Sequence, residues 1–521
     1  MQFNLADLFE SLADAIPDRP ALIAGDRRLS FAGLEARANR LAHALAARGI
    51  GPGDHVGLYL YNRAEYVEAM LAAFKLRAVP INVNYRYVED ELAYLFGNAD
   101  LRAIIHEREL GGHVAAVKHD FKARIAVDGG SDAPLHGALA YERLVADAPE
   151  ERRFAPRSAD DLMIIYTGGT TGMPRGVMWR HEDLLFAGLQ GGNPGGTPIQ
   201  KPEDLAPNAR ARSNPMCILP AAPLIHGAAQ LATFISLLSG GRVVLAPGRH
   251  FDAREIVRLI GAERVNTAVI VGDAMARPLA EALAEPGSDV SSLMVLTSGG
   301  AILSASVKQE LAARMPFTII LNAFGASETG HQGQMMPGLG GGFMMDGTNA
   351  VLDEENRPVA PGSGVVGRLA RRGRLPLGYY KDPEKTAATF IVIGDTRWCV
   401  PGDLATLEAD GRIHVLGRGN VCINSGGEKI FVEEVEEAIK AIPAVLDAVV
   451  VGVPDERWGQ RVAAVVQLRP GAELTLATVE EHCRKHLAGY KVPRQLRLVD
   501  ELQRQPSGKP DYRWARQAAE S

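Results

Sequence analysis

Cysteine is scarce in this chain. Its 521 residues include four, Cys217, Cys399, Cys422 and Cys483, and none forms a CxxC pair. Zinc ribbons and disulfide frameworks need more cysteines or closer ones, so both are excluded. The thiols read as mostly buried groups in a reducing, cytoplasmic compartment. Positive charge is not in excess either. Lys and Arg number 56 against 62 Asp and Glu, a net charge of −6. That argues against a nucleic-acid binder and leaves room for a local basic site facing an anion. A basic, apolar leader is missing: MQFNLADLFESLADAIPDRP starts acidic and amphipathic, with Leu5, Leu8, Leu12 and Ile16 on one helical face. No apolar run reads as a membrane span. The most apolar stretch, 217–239, is broken by Pro220, Pro223, His226 and Gln230, and reads as a buried strand, loop and helix. Heptads, solenoid repeats and charged tails are also lacking.

What is present is an ordinary globular composition, 46% hydrophobic and 23% charged, in a chain too long for one core. A helical stripe of Leu34, Ala38, Leu41 and Leu45 stops at Gly49, and a GPGD turn leads to the strand-like HVGLYL at 55–60. Further short apolar runs at 81–83, 103–105, 162–166, 242–246, 267–271, 293–297 and 317–321 alternate with helical segments. That alternation predicts an α/β fold with largely parallel sheets. Residues 186–212, rich in Gly and Pro, read as a long surface loop or insertion, and GLGGGF at 338–343 as a flexible patch. After GRGNVCINSGGEKI (417–430) the character changes. Helices over 432–442 and 476–488 among short apolar runs predict a compact α+β unit of about 100 residues. The expected division is 1–419 and 420–521, with the boundary near Asn420.

The strongest local signal is YTGGTTGMPRGV at 166–177. A strand enters a loop of Gly and Thr that ends in a basic residue. Glycines let backbone N–H groups approach an anion, threonine hydroxyls add donors, and Arg175 adds charge, so the segment reads as a phosphate cradle. It lacks the spacing of a Walker loop. The bland alternative is a Gly/Thr-rich surface turn.

The segment resembles the nucleotide-phosphate loop of the adenylate-forming enzymes: acyl-CoA synthetases, peptide-synthetase adenylation domains and luciferases. Their usual pattern is YTSGTTGxPKGV, so Gly168 stands here for Ser and Arg175 for Lys. Further segments follow in that family's order: PLIHGAA (223–229), TSGGA (297–301), NAFGASETG (322–330), VPGDLATLEADGRIHVLGR (400–418), GGEKIFVEEVE (426–436) and QPSGKPDYRW (505–514). The resemblance implies a large N-terminal domain of layered α/β subdomains with a β-barrel-like subdomain. It also implies a small mobile α+β C-terminal domain that carries the catalytic lysine. It also implies site residues. Thr167, Gly168, Gly169, Thr170, Thr171, Gly172 and Arg175 would meet the phosphates of ATP. Gly299, Gly300, Ala301, Asn322, Ala323 and Phe324 would flank adenine, with Phe324 stacking on it and Ser327 bonding the α-phosphate. Asp403 and Arg418 would hold the ribose, and Glu328 and Thr170 would hold Mg²⁺. His226, Gly227, Ala228 and Gly272 would line the acyl pocket, Gly426 and Gly427 the CoA tunnel, and Asn420 would be the hinge. Lys509, Glu328 and Thr170 are the implied catalytic set.

The implied reaction is activation of a carboxylic acid by ATP as an acyl-adenylate, followed by transfer to coenzyme A. Two anions meet in the first step, so Mg²⁺, cations and backbone donors are needed where charge accumulates. VGDAMARPL (271–279), the 186–212 insertion and SGKPDYRWA narrow the resemblance to the actinobacterial fatty-acyl and sterol side-chain CoA ligases, which take long or bulky acids. The competing readings are transfer to a carrier-protein thiol, a luciferase-like monooxygenase, and a non-catalytic acyl or nucleotide binder. Partners are small molecules, without nucleic acid or a membrane span. Oligomeric state is left open, a homo-oligomer included.

Overall fold

The computed structural model describes residues 1–167, 173–301, 303–335, 341–418, 422–425, 428–455, 458–505 and 508–521. Among them the strands form four sheets. The first has eight strands, with Val79–Asn82, His55–Tyr59, Leu101–Glu107 and Ala123–Val127 pairing in parallel. Leu162–Thr167 joins beside Val79–Asn82 and pairs antiparallel with Arg175–Arg180. The second sheet has nine strands, with Ile319–Ala326, Val295–Gly299, Thr267–Ile270, Cys217–Pro220, Arg242–Leu245 and Pro20–Ala24 as a parallel run. A six-stranded antiparallel sheet spans residues 349–418, and a five-stranded sheet spans 423–499. Every strand expected from the apolar runs is present, within a few residues at its ends.

One hydrophobic core joins the two large sheets. Val56, Ile105 and Ile165 of the first sheet and Leu219 and Val243 of the second belong to it, with the helices Leu5–Ala15, Phe31–Ala46 and Gly227–Leu238. The amphipathic face expected at the N-terminus is buried, with Leu5, Leu8 and Leu12 fully enclosed. Asn4 caps that helix by accepting from the Ala6 N–H at 3.0 Å. The helix Ala64–Lys75 is buried on all sides, so its charged residues need internal partners. Glu65 is paired with Arg27 and Arg63, Glu68 with Arg37, and Lys75 with Glu10 and Glu35.

One expectation is corrected by the structure. Residues 186–212 are not simply a surface loop. Their second half folds into the helix Leu205–Ala211, where Leu205 and Ala209 are buried, and the Arg19 guanidinium donates to the Ala209 carbonyl at 2.9 Å. The apolar residues in this Gly/Pro-rich stretch are few but well spaced, so they can pack on the N-terminal helix. At the described end of the 338–343 patch, Phe343 is buried and its ring lies 5.3 Å from that of Phe324. All four cysteines are free thiols, three of them buried. No helix among the described residues is long and apolar enough to cross a membrane.

Candidate active site

The phosphate-cradle signal sits in the connection between Leu162–Thr167 and Arg175–Arg180, with Thr167 opposite Arg175 in register. Gly168, Gly169, Thr170, Thr171 and Gly172 lie outside the described residues, as do Asn420, Gly426, Gly427 and the Arg418 side chain. The flanks of the loop are held tightly. Asn82 is buried; its Oδ1 accepts from the Tyr166 N–H, and its Nδ2 donates to the carbonyls of Tyr166 and Ile225, all at 2.7 Å. Ile225 precedes His226, so one amide fixes the entrances to the phosphate loop and to the expected acyl segment. Arg175 begins the return strand, and its Nε donates to Asp382 at 2.8 Å. The Lys385 amide, and Arg175 behind it, hold the Asp382 carboxyl below its ordinary value. A guanidinium carries five donors, so this bond does not exhaust what Arg175 can offer an anion.

Segments distant in sequence meet at the carboxyl ends of the two sheets' strands. That is where open α/β sheets place their ligands. His226 stands at the start of Gly227–Leu238. A Cβ on Gly227 would lie 3.5 Å from Ile165 and 3.8 Å from the Ser327 hydroxyl. A Cβ on Gly299 would lie 4.0 Å from the Ala228 methyl. The expected acyl, adenine and α-phosphate segments are therefore neighbours. Gly272 adopts φ +55°, and its N–H donates to the buried Ser298 Oγ at 2.8 Å. Ser298 in turn donates to the Ala301 carbonyl at 2.6 Å, tying the 299–301 loop to the 272 turn.

Asn322 faces inward. It is buried, and its Oδ1 accepts from the Leu303 N–H at 2.9 Å, so its amide serves the backbone. Ala323 continues that strand between Gly299 and Gln334. Phe324 packs with Phe343 against the core of the six-stranded sheet. The Ser327 carbonyl accepts from the indole of Trp179 at 2.8 Å. Glu328 is buried, and its Oε1 accepts from the Tyr379 hydroxyl at 2.9 Å. Burial, with the Glu328 charge beside it, pushes the Tyr379 hydroxyl well above its ordinary value, so it stays a proton donor. Glu328 keeps a second carboxylate oxygen. Mg²⁺ prefers such oxygens and usually takes one or two carboxylates together with substrate phosphates, so the residue fits that ion. No cluster of three or more metal-binding side chains exists among the described residues, nor does that mode of binding need one.

Asp403 is buried and pairs in register with Arg418. Beside it, Gly417 holds φ +109°, and a side chain there would run into the Glu433 carboxyl. Burial, with Glu436 and Asp403 adding repulsion, pushes the Glu433 carboxyl up to about 8. Glu436, also buried, is pushed up to about 7. Lys509 is exposed on a hairpin closed by the Gln505 N–H donating to the Lys509 carbonyl at 2.8 Å. Its neighbour Gly508 packs on Val271, next to Gly272. A cavity of about 820 Å³ opens there between Pro223, Met275 and Arg277 on one side and Asp447, Arg504 and Gly508 on the other. His226, Gly227 and Ala228 do not line it.

Asn82, Ser298, Tyr379 and Asp382 were not singled out in the sequence. Only Asp382 carried a local signal, since Asp-Pro at a helix start is a capping pattern.

The AMP-binding enzyme family matches residues 9–380, and the AMP-binding enzyme C-terminal domain matches residues 434–509. A medium/long-chain-fatty-acid–CoA/3-oxocholest-4-en-26-oate–CoA ligase of Mycobacterium marinum is 50% identical, over 99% of this chain and 97% of its own. A 3-oxocholest-4-en-26-oate–CoA ligase of Rhodococcus rhodochrous is 48% identical, over 99% and 96%. Among solved structures, an anthranilate CoA ligase bound to anthranoyl-AMP superposes with a TM-score of 0.86 at 23% identity, covering 99% of this chain and 97% of that one, a likeness of fold. ATP-bound MatB from Rhodopseudomonas palustris superposes with a TM-score of 0.81 at 26% identity, covering 99% of each chain.

Two outcomes follow from this geometry. Tyr379→Phe removes the hydrogen bond that orients Glu328. Where Glu328 holds Mg²⁺, as the resemblance implies, the Mg²⁺ concentration for half-maximal activity should rise about tenfold, the loss usual for a residue that supports a metal ligand, while the thermal midpoint changes little. Titration of activity and of Mg²⁺ binding by calorimetry checks this, and an unchanged metal requirement would refute it. The second outcome concerns pH. A carboxyl that titrates near 8 in the folded chain keeps its proton longer than it does in the unfolded chain. Stability should therefore fall as pH rises from the ordinary carboxylate range through about 8, with a slope of at most roughly 1.4 kcal/mol per pH unit for each such group. Glu433→Gln should flatten that slope in urea unfolding at pH 6 and pH 8.5.

Proposed function

Because the chain belongs to the AMP-binding enzyme family, we propose that it is an AMP-forming CoA ligase for medium- to long-chain or steroid side-chain carboxylic acids. The observation that carries this reading is identity near 50%, spread over the whole chain, with ligases named for those acids. In the reaction the carboxylate attacks the α-phosphorus of ATP and expels pyrophosphate. The CoA thiol then attacks the acyl carbon and expels AMP. A carboxylate has no good leaving group of its own, and the mixed anhydride supplies one.

The residues divide this work by charge and place. Backbone donors of 168–172 and the Arg175 guanidinium meet the triphosphate, where negative charge gathers in the first step. Mg²⁺, when bound, neutralises phosphate charge and orients the leaving pyrophosphate. Glu328 holds it, and Tyr379 fixes the carboxylate. Ser327 hydrogen-bonds the α-phosphate, Asp403 accepts from the ribose, and Phe324 stacks on adenine. Lys509 places its ammonium between the carboxylate and the α-phosphate. The chain divides into 1–419 and 420–521, and rotation about Asn420 removes Lys509 after the first step and brings Gly426 and Gly427 to the pantetheine path. Gly227 and Ala228, lacking bulk beside His226, leave room for the acid. The acid, ATP and CoA are the partners, nucleic acid plays no part, and the location is cytoplasmic.

A panel of carboxylic acids scored by CoA-dependent AMP release tests the substrate class. Long-chain and polycyclic acids should exceed acetate and propionate in kcat/KM by orders of magnitude, since each buried methylene contributes about 0.8 kcal/mol. A preference for acetate overturns the reading, and AMP release that ignores CoA but requires a carrier protein reassigns the acceptor. Lys509→Ala should slow acid-dependent ATP–pyrophosphate exchange by about 10²–10³ while sparing thioester formation from supplied acyl-adenylate. Equal losses in both steps would remove its assigned role.

A further inference from the structure

A chain of alternating charges leads from the helix Gly272–Ala282 to the Lys509 hairpin. Asp273 lies near the start of that helix, with its side chain 2% exposed. Its Oδ1 accepts from the Ser304 N–H at 2.9 Å, while Oδ2 has no hydrogen-bond partner. Oδ2 is 3.9 Å from the Lys440 ammonium, which projects from the other side on the helix Val432–Lys440. Lys440 is also 3.5 Å from Asp447. Asp447 is paired with Arg504, and the Arg504 guanidinium donates to the Gly508 carbonyl at 3.0 Å, one residue before Lys509. Arg504 also forms a backbone bridge with Pro510, on the far side of the lysine. The signs run minus, plus, minus, plus, and then the hairpin.

Burial works to lower the Lys440 ammonium, but Asp447, Glu436 and Asp273 outweigh it and hold it above the ordinary lysine value. Burial works to raise Asp447, and Lys440 and Arg504 outweigh that in turn. Lys440 and Asp447 are therefore charged at neutral pH. Buried ions interact far more strongly than ions in open water, and they leave a cost behind when separated. Arg277, one turn after Asp273, shows that cost: it lies 3.7 Å from Asp273, and its Nε and Nη2 are buried without hydrogen bonds. Among the described residues, the only ion pair from Asp273 into residues after 420 is with Lys440.

We propose that Asp273, Lys440, Asp447 and Arg504 are positioning residues for Lys509: the Asp273–Lys440 contact docks the C-terminal unit, and Asp447 and Arg504 pass that docking on to the lysine hairpin. The inference rests on the reading that Lys509 acts in acyl-adenylate formation. It goes further in assigning the alignment of the lysine to side chains far from the phosphate loop. The contact is needed only while Lys509 is engaged, so its loss should slow the first half-reaction and spare the second.

The test uses full-length enzyme and measures both half-reactions on the same preparations: acid-dependent ATP–pyrophosphate exchange, and conversion of supplied acyl-adenylate to CoA thioester. Asp273→Asn and Lys440→Gln should each slow exchange about tenfold, the size of a typical coupling between distant sites, with KM for ATP unchanged. Thioester formation should stay within about twofold, and the double variant should be no slower than the worse single, because both break one contact. Asp273→Glu should recover most of the exchange rate, and thermal midpoints report whether each variant folds. Lys509→Ala serves as the reference. If it leaves exchange intact, the role of Lys509 itself is wrong. If it abolishes exchange while Asp273→Asn and Lys440→Gln leave it unchanged, or lower both half-reactions alike, the positioning chain is overturned. Should Lys440→Gln fail to fold, Asp273→Asn, nearly isosteric and outside the C-terminal core, decides alone.

Discussion

The buried Asn82 amide is the joint on which the site depends. It makes three hydrogen bonds, two to the backbone of Tyr166 and one to the Ile225 carbonyl. Tyr166 belongs to the first sheet, and Ile225 lies in the connection that leaves the second. Two sheets packed through helices could slide by fractions of an ångström with little change in apolar burial, because hydrophobic contact is not directional. A buried amide cannot slide without leaving donors or acceptors unpaired, at about 1–3 kcal/mol for each group. The core holds the sheets together, and Asn82 fixes where their loops meet. The proximity of Gly227 to Ser327 and of Gly299 to Ala228 depends on that fixed point.

The C-terminal unit is attached on a different principle. Its two apolar clusters, built on Val435, Val450 and Val466 and on Val451, Val465 and Ala515, contain only residues after 420. The described contacts that cross to the rest of the chain are largely polar. Ala305 donates to Glu437 at 2.7 Å, Ser306 approaches the Lys440 carbonyl at 3.4 Å, and Lys440 faces Asp273. An interface of this kind separates without exposing a core, which is what relative motion of two parts requires. The Glu433 carboxyl, raised by burial and by repulsion from Glu436 and, across the boundary, from Asp403, adds a pH-dependent contribution to that attachment.

The fold was legible because its signal is repeated. Short apolar runs such as 267–271 and 293–297, each followed by a helical segment, can satisfy their backbone and bury their faces only in parallel sheets. Loops whose few apolar residues reach a distant surface were not legible. Leu205 looks unremarkable among glycines and prolines until the N-terminal helix provides something to pack on. Within the site, residues with chemistry in their side chains stood out in motifs, while the residues that hold them did not. Ser298 and Tyr379 reach partners 26 and 51 positions away through hydrogen bonds, and no local pattern marks such a bond. Asn322 shows the converse: a residue within a conspicuous segment whose amide is spent on the Leu303 backbone.

Sharing the charges of one site between two bodies has a physical consequence. In the proposed reaction two anions must be brought together to make the adenylate, and Lys509 is the cation assigned to permit this. A lysine fixed to the main sheets could be withdrawn only by local rearrangement of a packed core, which resists continuous deformation. On the proposed motion, a lysine on a hairpin of a polar-attached unit would leave with the unit, and Arg504 and Asp447, bonded to that hairpin, would travel with it. In that arrangement the alignment lies inside the C-terminal unit, and the Asp273–Lys440 contact lies between the parts. Strength inside the unit can then rise without slowing its release, while strength at the Asp273–Lys440 contact must stay moderate, since each kcal/mol that favours docking for the first step opposes undocking for the second.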